Sequence, residues 1–412
     1  MPQDKKQHAP VVSVVLLAYN QLTYTKKCVE SLFRHTSDVA YELITINNGS
    51  ADGTEEYFNS LPNEKKISFP ENVGVDKAIN VGFKMAEGKY TLNLSNDIVV
   101  TPRWLKNLVA CADTDEKIGM VVPVCNFSSN LQTIGLPYSS LEELDNIAEL
   151  YNRTNPALWE ERLRLITYTC LFRTDLQKAI GGFDEEFNPG AYDDDAISFT
   201  IRRKGYRLML AKDTYVHHFG SVTFGAEYAK NNLAARNRAL FIKKFSVDPW
   251  GATMIDQEIT ALADYERRGE VKILGIGKSC GASLLQVKNA YRARGINDVT
   301  LHYLSETQHN MADLATVCKM CRVAPLNEVR RHFGQEEWDL IVVESETDKI
   351  QQPGVFYGDL CALIKPGGRL ITTAAQGLLP IIEGTLARNG FVRANSRKEY
   401  YFAFDKQMQL PK

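Results

Sequence analysis

Four predicted strands separated by three predicted helices constrain the fold more than any other feature of the chain. The predicted strands lie at 11–17, 41–46, 67–69 and 89–94. Between them, apolar residues recur with helical spacing. Strands that alternate with helices predict a doubly wound, largely parallel α/β sheet whose loops share one rim. Ligands of such sheets bind where the strands end, so polar residues there are expected to converge on one crevice. These residues are Asn20, Asn47, Asn72 and Asp97.

Length and composition indicate a protein of two or more domains. With 412 residues, the chain is too long for a single ordinary core. Its formal net charge of −2 gives no reason to expect a nucleic acid or a membrane as partner. The apolar runs are too short for a transmembrane segment, and the N-terminus lacks an apolar signal segment. Scattered cysteines favour reduced thiols, so a cytoplasmic location is expected.

The polar cluster Ser95, Asn96 and Asp97 follows the fourth predicted strand. A lone carboxylate at such a strand end suits a divalent cation whose other ligands are phosphate oxygens and water. An ordinary turn is the alternative, because Asn and Asp are common turn residues. The neighbouring motifs favour the cation site.

Six motifs appear in one order along the first half of the chain. They are VSVVLLAYNQ (12–21), INNGSADGT (46–54), NVGVDKAINVGF (72–83), LSNDI (94–98), GGFDEEFNPGAYDDD (181–195) and VHHFGS (216–221). With these motifs, residues 11–245 resemble the inverting glycosyltransferases of family 2, which have the GT-A fold. The resemblance implies a nucleoside-diphosphate sugar as donor, most commonly a UDP-sugar.

The resemblance also implies a set of residues that bind the donor. They are Ala18, Tyr19, Asn20, Asn47, Asn72, Gly74 and Asn96. Asn47 stands where the family usually has an aspartate that contacts the base, and Asn offers a donor as well as an acceptor. Gly74 would allow a close approach of the backbone to the donor.

A divalent metal, Mn²⁺ or Mg²⁺, is implied as cofactor. Asp97 matches the last acid of the D-x-D metal motif of the family, and Ser95 occupies the first position. A histidine of the family closes the metal site, and the two candidates here are His217 and His218. Alternation along a strand points them to opposite faces, so one of the two can bind. The spacing to Ser221 favours His218.

An acidic triplet at 193–195 precedes a predicted helix. Such a charge run is commonly a solvated turn, but in the family this position carries the general base. Spacing back from Gly205 assigns the base to Asp194, with Asp193 as the second candidate. The base removes the proton of the acceptor hydroxyl as that hydroxyl attacks the anomeric carbon. Ala196 departs from the acid that ends the family motif.

A second domain is predicted after a charged helix. The predicted division is a GT-A domain at 1–250, a helical linker at 251–269 and a smaller Rossmann-like α/β domain at 270–412. With IKPGGRLI at 364–371, the last part resembles class I methyltransferases that use S-adenosylmethionine (SAM). Its SAM-like loop would contain Gly277, Ser279 and Gly281. Gly275 and Tyr303 replace acids of that family, so SAM binding is not favoured, and a silent domain for acceptor docking or dimerisation is expected.

The main hypothesis is a metal-dependent inverting glycosyltransferase that transfers a sugar to a glycan, lipid-linked or protein hydroxyl. Residues 126–165 either contact the acceptor or form a surface excursion. A bifunctional glycosyltransferase and methyltransferase is the first alternative. A non-catalytic scaffold that binds nucleotide sugars is the second, and a homo-oligomer is compatible with all three.

Overall fold

The structure, a computed structural model, describes residues 10–220, 232–334, 338–344 and 349–408. The chain divides into two compact units, Met1–Phe245 and Ser246–Lys412, and each unit has its own sheet. Across the described ranges, every helix is too short or too polar to cross a membrane. Ser221, which helped to favour His218 in the sequence, lies outside the described residues.

The first unit is a sheet of nine strands with helices on its faces. Its strands are β1 (Val12–Ala18), β2 (Tyr41–Asn48), β3 (Lys65–Phe69), β4 (Tyr90–Ser95), β5 (Ile98–Val99), β6 (Ile118–Cys125), β7 (Trp159–Arg162), β8 (Thr169–Arg173) and β9 (Arg207–His218). Its helices are α1 (Leu22–His35), α2 (Thr54–Ser60), α3 (Val75–Met85), α4 (Trp104–Asp113), α5 (Leu141–Tyr151), α6 (Thr174–Ile180), α7 (Asp193–Arg203) and α8 (Leu233–Phe245). Short 3₁₀ turns lie at Pro156–Leu158 and Glu185–Phe187.

The strand order of the first unit is β3-β2-β1-β4-β8-β6-β9-β5, with β7 paired along β9. Strands β1 to β4 are parallel as the sequence predicts, and their register pairs Ala18 with Asn47 and Leu17 with Ser95. The remainder is mixed, because β8 runs antiparallel to both β4 and β6. Strand direction there depends on the path of the long segment between β6 and β8, where the sequence has few landmarks.

Burial explains why the central strands appear in the sequence as continuous apolar runs. All eight residues of β6, for example, are buried, as expected for a central strand covered on both faces. Trp104 of α4 is fully buried, and its indole Nε1 donates to Thr36 Oγ1 at 3.0 Å. The carboxyl ends of β1, β2 and β4 therefore lie on a rigid frame, and their loops form one edge.

The second unit is a separate sheet of seven strands. Its strands are β10 (Val271–Gly277), β11 (Val299–Ser305), β12 (Met320–Val323), β13 (Trp338–Val343), β14 (Ile364–Thr373), β15 (Phe391–Arg397) and β16 (Tyr401–Lys406). Its helices are α9 (Pro249–Thr253), α10 (Gln257–Leu262), α11 (Ala282–Ala293), α12 (Met311–Leu314), α13 (Val329–Phe333), α14 (Pro353–Leu363) and α15 (Leu379–Arg388). The order is β12-β11-β10-β13-β14-β16-β15, and β16 is antiparallel to its neighbours.

The linker helix expected at 251–269 does not form as one element. Two short helices, α9 and α10, occupy its first part and belong to the second unit. The carbonyl oxygen of Leu262 accepts a hydrogen bond from Arg369 Nη1 at 2.8 Å, and the Tyr401 hydroxyl donates to Asp256 Oδ2 at 2.7 Å. Ile259 and Leu262 of α10 are buried, so this part of the predicted linker packs within the second unit. The first unit ends at Phe245, before the predicted boundary.

Candidate functional site

The loops after β1, β2 and β4 are joined by asparagine side chains. Asn96 donates through Nδ2 to the carbonyl oxygen of Asn20 at 3.2 Å and to Thr25 Oγ1 at 2.9 Å. Asn20 in turn accepts at Oδ1 from the backbone N–H of Ala51 at 2.9 Å. The predicted convergence of Asn20 with the loop after β2 is therefore present. Tyr19 is half-buried beside this network, directly after the buried Ala18.

Asn47 and Asn72 are held by their own chain at the ends of β2 and β3. Asn47 is 2% exposed and donates to Ser68 Oγ at 2.9 Å, so its predicted contact with a base stays a prediction. Asn72 Oδ1 accepts from the side chain of Asn48 at 3.0 Å. Asn48 was not predicted as a site residue, although it follows Asn47 directly and is equally buried.

Gly74 is required by a contact within the protein. It has φ +89° at the start of α3, and a Cβ there would lie 2.0 Å from the amide nitrogen of Asn188. Asn188 donates from Nδ2 to the carbonyl oxygen of Val73 at 2.8 Å. The group that approaches the Gly74 backbone is therefore the Asn188 side chain. The sequence had suggested that the nucleotide-sugar donor approaches this position.

Asp97 and His218 face each other. His218 Nε2 lies 3.2 Å from Asp97 Oδ2, because the antiparallel register of β5 and β9 pairs Ile98 with His218. The other ring nitrogen of His218 is bonded to the carbonyl oxygen of Phe127 at 2.7 Å. Burial opposes protonation of His218, but the hydrogen bond and charge of Asp97 outweigh it and raise its pKa to about 10. Without a metal, the two side chains form an ion pair.

His217 points to the other face of the strand, as alternation predicts. Its Nδ1 is bonded to the hydroxyl of Tyr138 at 2.6 Å, and its ring packs edge-on against Phe219. Burial and the neighbouring charges of His218 and Lys27 lower its pKa to about 4. His218 is therefore the histidine that the fold brings to Asp97.

Asp194 lies in the first turn of α7 and is oriented by Thr167. The backbone N–H of Thr167 donates to Asp194 Oδ1 at 2.9 Å, and the Thr167 hydroxyl donates to the same oxygen. Asp194 Oδ2 is therefore not held by Thr167. Burial raises the pKa of Asp194, while the bonds from Thr167 and the charge of Arg164 oppose the rise. Asp195, the next acid, is buried in an ion pair with Arg164 at 2.9 Å.

Thr167 and Tyr168 connect the candidate base to the Asp97–His218 pair. The Tyr168 ring stacks on the His218 ring, with centroids 5.6 Å apart and planes inclined by 25°. Thr167, its neighbour in the chain, holds Asp194. Two consecutive residues of one segment thus contact Asp194 and the Asp97–His218 pair.

A side chain of α8 holds the loop that precedes Asp193 through hydrogen bonds. Asn237 is fully buried, and its Nδ2 donates to the carbonyl oxygens of Phe187 and Gly190 at 2.7 Å each, and to that of Ala191 at 3.0 Å. Sequence reasoning missed Asn237. The only available signal is a polar residue on the apolar face of a helix.

Asp76 is the second residue that sequence reasoning missed. It lies in the first turn of α3, is 1% exposed, and its Oδ2 makes no hydrogen bond with any residue that the structure describes. Helical spacing places it on the buried face with Ile79, Asn80 and Phe83, which is the signal that could have found it. Burial raises the pKa of Asp76 to about 8, and the charge of Asp194 adds to the effect.

Asp76, Asp193 and Asp194 together form what we call the acidic cluster. Burial raises the pKa of Asp193, and the charges of Asp194 and Asp76 raise it further. In the described ranges, no three His, Cys, Asp or Glu side chains converge as a complete metal site. One carboxylate and one imidazole, Asp97 and His218, are donors that suit Mn²⁺ when phosphate and water supply the remaining ligands.

Comparison with known proteins shows which family the first unit is similar to. Residues 13–176 match the family model "Glycosyl transferase family 2". The first unit contains a family 2 glycosyltransferase domain. Its α/β fold is GT-A-like, with the matched segment running from β1 into α6.

Two relatives of this glycosyltransferase domain give the extent of the similarity. EpsH of Bacillus subtilis, a protein to which glycosyltransferase activity is assigned, is 26% identical over 178 residues, which is 41% of this chain and 49% of EpsH. The validoxylamine A glucosyltransferase of Streptomyces hygroscopicus is 22% identical over 233 residues, which is 50% of this chain and 55% of that enzyme. The chain thus spans about half the length of these curated relatives.

A solved structure is distantly similar to the chain. It is a mannosyltransferase of Pyrobaculum calidifontis in complex with GDP-mannose and Mn²⁺, with 16% identity and a TM-score of 0.39. The alignment covers 75% of this chain and 73% of the mannosyltransferase. At this TM-score the likeness is too distant to carry over a ligand or a residue role.

The SAM-like loop of the second unit is filled by its own side chains. Ser279 Oγ donates to Glu344 Oε2 at 2.7 Å, and the Tyr303 hydroxyl donates to the same oxygen at 2.8 Å. The backbone N–H of Gly281 donates to Ser279 Oγ at 3.0 Å. A Cβ at Gly275 would lie 2.6 Å from the Tyr303 ring. Tyr303 therefore packs against Gly275 of β10 and bonds to Ser279 of the loop, which explains why Gly275 has no side chain.

We predict that Asp76→Asn stabilises the protein increasingly as the pH rises from about 4 to about 8. Well below pH 4, the Asp76 carboxyl is protonated in both the folded and the unfolded chain. Above that, the unfolded chain ionises first, so the wild type loses free energy of unfolding until the folded pKa is passed. The difference should grow by at least about 1 kcal/mol, the value of one pKa unit, in urea unfolding at several pH values.

Glu186→Gln is the control for this prediction, because Glu186 is an exposed acid on the neighbouring 3₁₀ turn. Its difference from the wild type should change little over the same pH range. Parallel pH curves for the wild type and Asp76→Asn would contradict the prediction.

Proposed function

We propose that the chain is a metal-dependent inverting glycosyltransferase that moves one sugar from a nucleoside-diphosphate donor to a hydroxyl acceptor. The observation that supports it best is the link through residues 167–168. Thr167 holds Asp194, and Tyr168 stacks on His218, which faces Asp97. A candidate base and a candidate metal pair therefore lie at one edge of a family 2 domain.

Asp97 and His218 would hold the metal, and a bound divalent ion would stabilise negative charge on the departing diphosphate. Asp194 acts as the general base through Oδ2, since Thr167 already occupies Oδ1. As the acceptor oxygen bonds to the anomeric carbon, Asp194 takes its proton and the carbon–oxygen bond to the diphosphate breaks. Asp193, in the same helical turn, is the second candidate base.

We take a UDP-sugar as the donor and a glycan, lipid-linked or protein hydroxyl as the acceptor class. The motifs of the family 2 domain and the glucosyltransferase among its relatives support a sugar nucleotide. The contacts of Ala18, Tyr19 and Asn20 with the base and ribose belong to this proposal. A cytoplasmic location and a homo-oligomer also remain predictions.

The second unit is proposed as a methyltransferase-like domain without methyltransferase activity. Its strand order, with an antiparallel last strand between the fifth and sixth, supports the resemblance. The bonds of Ser279 and Tyr303 to Glu344 argue against the bifunctional alternative, because they close the loop that would receive SAM. Docking of the acceptor or dimerisation is the role we propose for this unit.

A donor screen tests the main proposal. Purified protein with Mn²⁺ should release nucleotide from one member of a panel of UDP-, GDP- and dTDP-sugars, and a chelator should stop the release. His218→Ala should lower the rate by at least about 10-fold. His217→Ala is the matched control, because His217 faces Tyr138 on the opposite side of the strand. Nucleotide release that is unchanged by the chelator would exclude the metal-dependent mechanism. No release from any member of the panel would favour the scaffold alternative.

Asp194→Asn should lower turnover by at least about 100-fold with donor and acceptor both saturating, because an amide cannot take the acceptor proton. Binding of the donor should persist, as measured by calorimetry. Asp193→Asn should have the smaller effect on turnover. A normal turnover for Asp194→Asn would assign the base elsewhere, and a larger loss in Asp193→Asn would assign it to Asp193.

Titration of the full chain with SAM should give no saturable heat up to about 1 mM, the range of very weak binding. The reason is the loop filled by Tyr303 and Ser279. The donor identified in the screen serves as the positive control on the same protein sample. Saturable heat with SAM would restore the bifunctional alternative.

A further inference from the structure

Asp76 is a buried carboxyl group that the proposed reaction does not use. It is 1% exposed, and its Oδ2 has no hydrogen-bond partner in the described part of the chain. Burying a polar atom without a hydrogen bond is unfavourable, and most buried polar atoms in folded proteins are paired. An exception of this kind beside a candidate base indicates that a ligand supplies the missing partner.

Negative charges act on Asp76. They come from Asp194, Asp184 and Glu185, and the charge of Asp76 in turn acts on Asp193. Two cations of the surrounding elements are engaged with other acids. Lys244 pairs with Asp184 at 2.5 Å and with Glu186 at 2.6 Å, and Arg164 pairs with Asp195 at 2.9 Å. The acidic cluster therefore calls for groups that donate hydrogen bonds.

The proposed reaction places the transferred sugar beside this cluster. The leaving diphosphate is held on the side of Asp97 and His218, and the base Asp194 acts on the opposite face of the anomeric carbon. The sugar ring lies between them. Asp76 lies in the first turn of α3, and Asn80 of the same helix holds Phe183 in the loop that leads to Asp193 and Asp194. This packing supports a position of Asp76 on the side of the sugar that faces the base.

We infer that Asp76 binds the transferred sugar by accepting hydrogen bonds from its ring substituents, either hydroxyl or amino groups. The inference rests on the proposed function and adds a residue that selects the sugar. Asn188 supports this geometry, because it packs on Gly74 and closes the start of α3. The carboxylate would favour sugars with free hydrogen-bond donors on the side that faces α3.

The test compares two affinities in the presence of Mn²⁺. Calorimetry measures the dissociation constant of free UDP and of the nucleotide sugar that the donor screen identifies, for the wild type and for Asp76→Asn. At a pH above the Asp76 pKa of about 8, where the carboxyl is ionised, we expect the sugar nucleotide to bind about 10-fold more weakly to the variant, the cost of one hydrogen bond to a charged group. The affinity for UDP should stay within about twofold, since UDP lacks the sugar. If the screen identifies a donor of another base, its diphosphate replaces UDP.

The outcomes are separable. Equal affinity of both proteins for the nucleotide sugar would overturn the inference while leaving the transferase intact. An equal loss for the sugar nucleotide and for the free nucleotide would also overturn it, because Asp76 would then act on the nucleotide or on the fold. A wild type that binds neither ligand would remove the proposed function itself. Glu186→Gln is the matched control and should bind both ligands as the wild type does.

A second arm identifies the ring substituent. Donors with a hydroxyl and with a protonated amino group at the same ring position are compared. If a hydroxyl is bound, Asp76→Asn keeps one acceptor oxygen and the loss stays near about 10-fold. If an amino group is bound, the loss should exceed about 100-fold, because the opposite charge is removed as well. Either result supports the inference, and no loss with any donor overturns it.

Discussion

Three buried or half-buried asparagines hold the loop from 182 to 191, and the candidate site depends on them. Asn80 of α3 donates to the carbonyl oxygen of Phe183 at 2.8 Å and accepts from its backbone N–H at 2.9 Å. Asn188 reaches back to Val73, and Asn237 of α8 binds three carbonyl oxygens of the loop. Amide side chains suit this task because each offers both donors and an acceptor. Asp193 and Asp194 follow this loop directly, so the same hydrogen bonds also position these two residues.

The same asparagine hydrogen bonds bring the carboxyl groups of the acidic cluster together, which lowers the stability of the fold. Asp76 begins the helix that carries Asn80, and the loop held by Asn80 leads to Asp193. The carboxyls therefore meet because the fold binds their elements to each other. Burial raises the pKa values of Asp76 and Asp193, and the repulsion between the carboxyls raises them further. A helix N-terminus offsets part of that repulsion for Asp193 and Asp194. Such an arrangement is expected at a binding site, where local rules of stability give way to function.

The sequence was sufficient for features that depend on local periodicity. Alternation predicted the first four parallel strands, and it separated His217 from His218 without a structure. The sequence was insufficient for features that are determined by contacts between residues far apart in the chain. The antiparallel direction of β8 and the place of α10 on the second sheet depend on tertiary packing, and so does the contact of Asn188 with Gly74. Asp76 was missed for a related reason, because its partners lie more than a hundred residues away in the chain.

The two units differ in how a buried carboxyl group of each is satisfied. In the second unit, Glu344 at the end of β13 receives hydrogen bonds from Ser279 and Tyr303. In the first unit, Asp76 has an oxygen without a partner among the described residues. A carboxylate already paired by its own chain gains little from a ligand, whereas an unpaired one gains a full hydrogen bond on binding. On this criterion the first unit is the better candidate for ligand binding, whereas the carboxylate of Glu344 in the second unit is already satisfied by its own chain.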